Sequence, residues 1–104
     1  MMIKEIKKNN ITWTNIDKVD AEAILYLKKN YKFHHLDIED IQSESQTPKI
    51  DIYKDYLFLV LHFPVWQTFE KQVKTHELNI FLGNGYLITV QGKKNKEIKN
   101  FFYR

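Results

Sequence analysis

The chain contains no cysteine. That excludes a disulfide framework, a thiolate nucleophile and a cysteine-rich zinc site, and it fits a reducing compartment. Its three glycines form no phosphate-cradling loop. No serine has the glycine flanks of a nucleophile elbow. No stretch approaches the roughly eighteen apolar residues that cross a bilayer. The N-terminus carries lysines but lacks the apolar segment of a signal peptide. As it stands, the sequence reads as a soluble chain and not as an enzyme.

What is present is material for a core. Hydrophobic residues make up 43% of the 104 positions and aromatic residues 14%, enough for one domain, 1–104, with a buried interior. The formal net charge is +3. The excess gathers at 4–8 and 93–99, where solvated lysines flanking structured segments explain it better than a surface for nucleic acid or anionic lipid.

Along the chain, 1–9 reads as a short edge strand or a frayed start. The β-branched and aromatic run 11–16 favours a strand, with Trp13 as core. Asp17 and Asp20 are N-cap candidates. Ile24, Leu27 and Tyr31 recur at helical spacing, and Lys28 and Lys29 suit the last turn, which predicts a helix over 20–31. A second, short helix is expected over 35–42. Its apolar residues Leu36 and Ile38 lie on nearly opposite sides, so cover is needed on both, from this domain or from a neighbouring subunit. Ile50 and Ile52 alternate with Asp51 and Tyr53 as a half-buried strand.

The run 56–63 is apolar almost throughout and reads as a central strand buried on both faces. Pro64 ends it, and 65–71 is a loop holding Trp66. From Gln72 the pattern alternates with a phase slip at His76-Glu77, which suggests a bulge or a kink. Gly83-Asn84-Gly85 is a hairpin turn, and 86–90 is the return strand. Lys93 onward looks like the start of a helix whose aromatic end, Phe101-Phe102-Tyr103, lacks cover. The natural chain is therefore expected to continue.

Chemistry-bearing residues crowd at Phe33-His34-His35-Leu36-Asp37-Ile38-Glu39-Asp40-Ile41. Carboxylates near a helix start are favoured by the dipole, which accounts for Asp37 and Glu39 more readily than for Asp40, a full turn inside. Oxygen-rich groups also bind hard cations such as Mg2+ or Ca2+. Adjacent His34 and His35 point about 100° apart on a helix and do not make a zinc motif. His62, inside an apolar strand, reads as a satisfied core histidine, and His76 with Glu77 as a solvent-facing pair. Tyr26, Tyr31 and Phe33 alternate with Lys28, Lys29 and Lys32. Helical spacing assigns these aromatics to the core and not to stacking on nucleic-acid bases.

Several segments together resemble the N-terminal cytoplasmic domain of the CorA family of divalent-cation transporters. His34-His35-Leu36-Asp37-Ile38-Glu39-Asp40-Ile41 followed by Pro48-Lys49-Ile50 is similar to that family's His-Pro-Leu, Glu-Asp-Ile and Pro-Lys run. Tyr56 to Leu61 is similar to its apolar strand, Glu77 to Val90 to its hairpin with a threonine on the return strand, and Trp13-Thr14-Asn15-Ile16 to its early tryptophan strand. The resemblance spans most of 11–91. It implies an α/β (α+β) fold with a mixed sheet sandwiched by helices, on the cytoplasmic face of the membrane.

It further implies a homopentamer around a magnesium- or cobalt-conducting pore, with transmembrane helices and a Gly-Met-Asn signature farther along. The partners are then identical subunits and the chain's own transmembrane region, with no nucleic acid. Asp40 and Glu39 would contribute to a regulatory site for Mg2+ or another divalent cation between subunits, weak or absent in the isolated fragment. That role expects neither residue to lie deep inside one protomer or to be ion-paired with the chain's own lysines. His35 replaces the family's proline at the first helical position, so the helix start is less constrained and the family's ion preference does not transfer. The alternative is a free-standing interaction module of the same fold.

Overall fold

A computed structural model describes residues 3–43 and 47–92. Six strands and two helices run in the order β1 (Ile3–Lys8), β2 (Ile11–Ile16), α1 (Ala21–Asn30), α2 (His35–Gln42), β3 (Lys49–Ile52), β4 (Tyr56–Gln67), β5 (Gln72–Gly83) and β6 (Tyr86–Gln91). The strands form one sheet in the order β1-β2-β6-β5-β4-β3. β2 and β6 are parallel and all other neighbours antiparallel, so the sheet is mixed, as expected.

Local chemistry sets each boundary. Asn9 and Asn10 both take positive φ, 52° and 66°, and join β1 to β2. Asparagine tolerates that region, and such a turn matches the twist of paired strands. The Asp20 carboxylate accepts the Ala23 N–H at 2.9 Å and caps α1, which ends with the Tyr31 N–H on the Leu27 carbonyl. Gly85, at φ 82°, turns β5 into β6. Gly83 leaves room for the Tyr86 ring, which a Cβ there would approach to 2.2 Å and displace.

Alternation along the strands builds the core. Phe58, Val60, Phe81, Ile88, Val90 and Ile16 share one face of the sheet and are fully buried with Leu27 and Ala23 of α1. Ile38 and Ile41 of α2 join them. The Phe33 ring stacks on Phe81 at 4.0 Å between centroids, and Tyr31 stacks on Phe33 at 4.9 Å. The aromatics of the lysine-rich stretch are therefore packing residues. On the opposite face Trp13 Nε1–H donates to Thr89 Oγ1. Thr89 Oγ1–H and Gln91 Nε2–H both donate to the buried Asn15 Oδ1, fastening β2 to β6.

Several expectations are corrected. β3 forms, but with its parity reversed: Ile50 and Ile52 are 61% and 78% exposed, while Lys49, Asp51 and Tyr53 face the helices. β4 does not end at Pro64 and there is no loop until 68; it runs to Gln67. β3 pairs only with 57–60 of β4, so past that point the outer edge of β4 is open and a proline there is tolerated. The register from Tyr56↔Gly83 to Gln67↔Gln72 is unbroken, so no bulge exists at His76. The pattern changes there because the β4–β5 ribbon leaves the sheet, exposing Trp66, Phe69 and Val73 at its far end. The two histidines also exchange roles. His62 is exposed and lies 3.2 Å from Glu77, whereas His76 is buried. Leu36, expected to need cover, is exposed in this chain. The helix expected after Lys93 lies outside the described residues.

Candidate functional site

Helix α2 begins with His34, whose Nδ1 accepts the Leu36 N–H at 3.1 Å. His34, excluded from a zinc motif by its spacing from His35, is thus the N-cap, and its carbonyl receives the N–H groups of Asp37 and Ile38. The His34 N–H donates to the Tyr56 hydroxyl at 2.7 Å. That hydroxyl in turn donates to Asp37 Oδ2 at 2.7 Å, and the Tyr53 hydroxyl donates to Asp37 Oδ1 at 2.9 Å. Asp37 is 0% exposed. Its first turn is therefore clasped to the β3–β4 corner through two tyrosines whose rings stack at 4.6 Å. Burial, then the hydrogen bond to Asp37, pushes the Tyr53 hydroxyl up to about 12. Burial also raises Tyr56, against the opposing effect of the His34 N–H.

One turn on, the chemistry changes. The Lys49 ammonium donates to Asp40 Oδ2 at 2.5 Å and lies 3.1 Å from Asp51 Oδ2. The hydrogen bond to Asp40 is the main cause of an upward shift in the Lys49 pKa, opposed by desolvation. The same ammonium stands 5.8 Å from the Phe58 ring centre. The Asp40 side chain keeps 21% exposure and Lys49 36%. Asp37, Asp40 and Asp51 each bring one carboxylate oxygen into a group spanning no more than 4.8 Å. Glu39 points to solvent.

Glu39 and Asp40 thus sit on one short helix but in different settings. Glu39 meets the condition set for an intersubunit ligand. Asp40 does not meet it as stated, because it is ion-paired with Lys49. The reversed parity of β3 is the reason, since it turns Lys49 and Asp51 toward α2. The sequence reading missed Asp51, Tyr53 and Tyr56 as neighbours of these acids. The available signal was the polar alternation Lys49, Asp51, Tyr53, which marks one face of a strand.

A family model described as CorA-like Mg2+ transporter protein matches residues 8–104. The chain belongs to the CorA-like family. It is 34% identical over 90 residues to a Bacillus subtilis (strain 168) protein named putative metal ion transporter YfjQ. It spans 84% of itself but 27% of that relative, about a quarter of its length. The soluble domain of CorA from Methanocaldococcus jannaschii superposes with a TM-score of 0.71 at 19% identity, over 90% of this chain and 36% of that one. The complete CorA magnesium transporter from the same organism gives 0.70 at 19% identity, over 94% of this chain and 30% of that one. These likenesses establish the CorA soluble-domain fold. Among the described residues no helix is long and apolar enough to cross a membrane.

Proposed function

We propose that this CorA-like domain is the cytoplasmic regulatory part of a magnesium or cobalt transporter. In this reading it senses intracellular divalent cations at contacts between identical subunits of a pentamer and so gates the pore. Glu39 supplies a carboxylate to the regulatory cation, and Asp40 supplies another once that cation displaces the Lys49 ammonium now paired with it. The observation that supports this most is the division of labour on α2: a first turn fixed by buried Asp37, and a second turn that holds Asp40 and Glu39 where solvent reaches them.

The donor set suits a hard cation. Carboxylate oxygens are the ligands that Mg2+ and Ca2+ prefer, and Mg2+ needs only one or two of them because it retains several waters. The Lys49 ammonium between Asp40 and Asp51 already acts as a stand-in positive charge. Carboxylates brought together at a seam between subunits repel, and a bound dication offsets the repulsion. Only a difference in affinity between two subunit arrangements can drive gating, so the site need not be tight.

The test is transport by the complete protein as internal Mg2+ is varied, with Asp40→Asn and Glu39→Gln. Each variant is expected to shift the response toward higher Mg2+, Asp40→Asn by more. An unchanged response in both would remove α2 from the gating mechanism.

A further inference from the structure

Lys49 occupies the space that a regulatory cation at Asp40 would claim. Its ammonium touches Asp40 and Asp51 together and comes from the edge strand β3, the neighbour of α2 across the site. Two positive charges within a few ångströms of one another repel strongly. A dication that ligates Asp40 must therefore push the ammonium aside or bind against its field.

Leaving is feasible for Lys49. Its side chain is about one-third exposed. A flexible four-carbon stem lets an ammonium move into water without burying charge. The ion pair it gives up is a partly exposed one, of the class worth about 1 kcal/mol or less. Asp37 will not follow, because two tyrosine hydroxyls hold it. The rearrangement is thus confined to Lys49, Asp40 and Asp51.

We infer that Lys49 is a tethered competitor for the divalent cation at Asp40 and sets the concentration at which that cation binds. This rests on the proposed role of Asp40. It adds that the threshold is written into the same chain, on β3, and is tunable by one residue.

The experiment uses the purified complete protein and MgCl2. The readout is the Mg2+ concentration giving half-maximal protection from glutamyl endopeptidase, which cleaves after glutamate and so at neither lysine nor methionine. Thermal unfolding without Mg2+ is followed alongside, so that a folding defect is separated from a binding change. Lys49→Met is expected to lower the midpoint about fivefold, the ratio equivalent to a partly exposed ion pair. Lys49→Arg, which keeps the charge, should stay near the parent value. Lys54→Met removes an exposed charge nearby on the β3–β4 turn and controls for bulk charge.

In an Asp40→Asn background, Lys49→Met should shift nothing further. If Lys49→Met leaves or raises the midpoint while Asp40→Asn moves it, competition is refuted and the role of Asp40 stands. An equal drop in Lys54→Met also refutes competition, in favour of general electrostatics. If Asp40→Asn itself leaves the midpoint in place, the role of Asp40 falls and the inference with it.

Discussion

The two turns of α2 carry aspartates three positions apart in opposite circumstances. Asp37 is fully buried and accepts hydrogen bonds from two neutral hydroxyls, Tyr53 and Tyr56. Asp40 is partly exposed and paired with a single cation, Lys49. A buried carboxylate whose donors are fixed in a packed wall has nothing to exchange with, and removing it strands those donors. A partly exposed carboxylate held by a lysine can trade one cation for another at small cost. Identical side chains on one helix are thus divided between a buried clasp and a partly exposed ion pair.

The sharpest way to break this contrast is Asp37→Ala. It leaves two tyrosine hydroxyls short of an acceptor, at a cost of about 3 kcal/mol from roughly 1–3 per stranded group. Denaturant unfolding of wild type and variant measures it, and a loss below about 1 kcal/mol would mean that the clasp is ornamental. Tyr56→Phe comes next. It removes a donor to Asp37 and also the acceptor of the His34 N–H, so about 2 kcal/mol is expected. Tyr53→Phe removes only one donor and should cost about 1 kcal/mol. Equal losses in the two phenylalanine variants would separate the His34 cap from the clasp.

Much of this arrangement was legible in the residues, and what was missed has a physical pattern. Hydrophobic period and capping chemistry located α1, because Asp20, Ala23 and Leu27 make it locally consistent. The hairpin at Asn84-Gly85 follows from backbone freedom alone. The errors all concern which way a strand faces or where a sheet ends. Ile50 and Ile52 look like core until α2 is placed above Lys49 and Asp51, and that placement depends on pairing across the sheet. Pro64 looks like a terminator because its harm depends on a neighbour that β3 is too short to provide. His62 and His76 exchange burial because the ribbon leaves the sheet between them and the turn. The acids of α2 were visible as a cluster, but their partners were not, since Tyr53, Tyr56 and Asp51 reach them only through the fold.

Asp40→Asn tests the other side of the contrast and should change folding stability by less than about 1 kcal/mol, as partly exposed ion pairs do. A loss as large as that of Asp37→Ala would assign Asp40 to the scaffold and take it out of the exchangeable class. The Met and Arg variants of Lys49 should be milder still, because the carboxylate they face remains open to water.

The smallest effect is a pH dependence that the two turns share in window but not in origin. The Tyr53 hydroxyl is held up to about 12 and Lys49 is also raised, by Asp40. A group whose folded pKa lies above its unfolded value gives stability that is complete below the unfolded pKa and is lost as pH rises through the folded one. Both groups have unfolded values near 10, so both contributions fade in alkali above about pH 10. Ultraviolet titration of tyrosinate isolates the first, and Tyr53→Phe should remove one of the late-ionising groups near pH 12. The lysine contribution is isolated by difference. Asp40→Asn deletes the main hydrogen bond that raises Lys49, so its stability should fall less steeply than that of the wild type as pH rises above about 10. Identical slopes would mean that the ammonium gains nothing from Asp40 in solution, and Asp40 would then be open to a dication without competition.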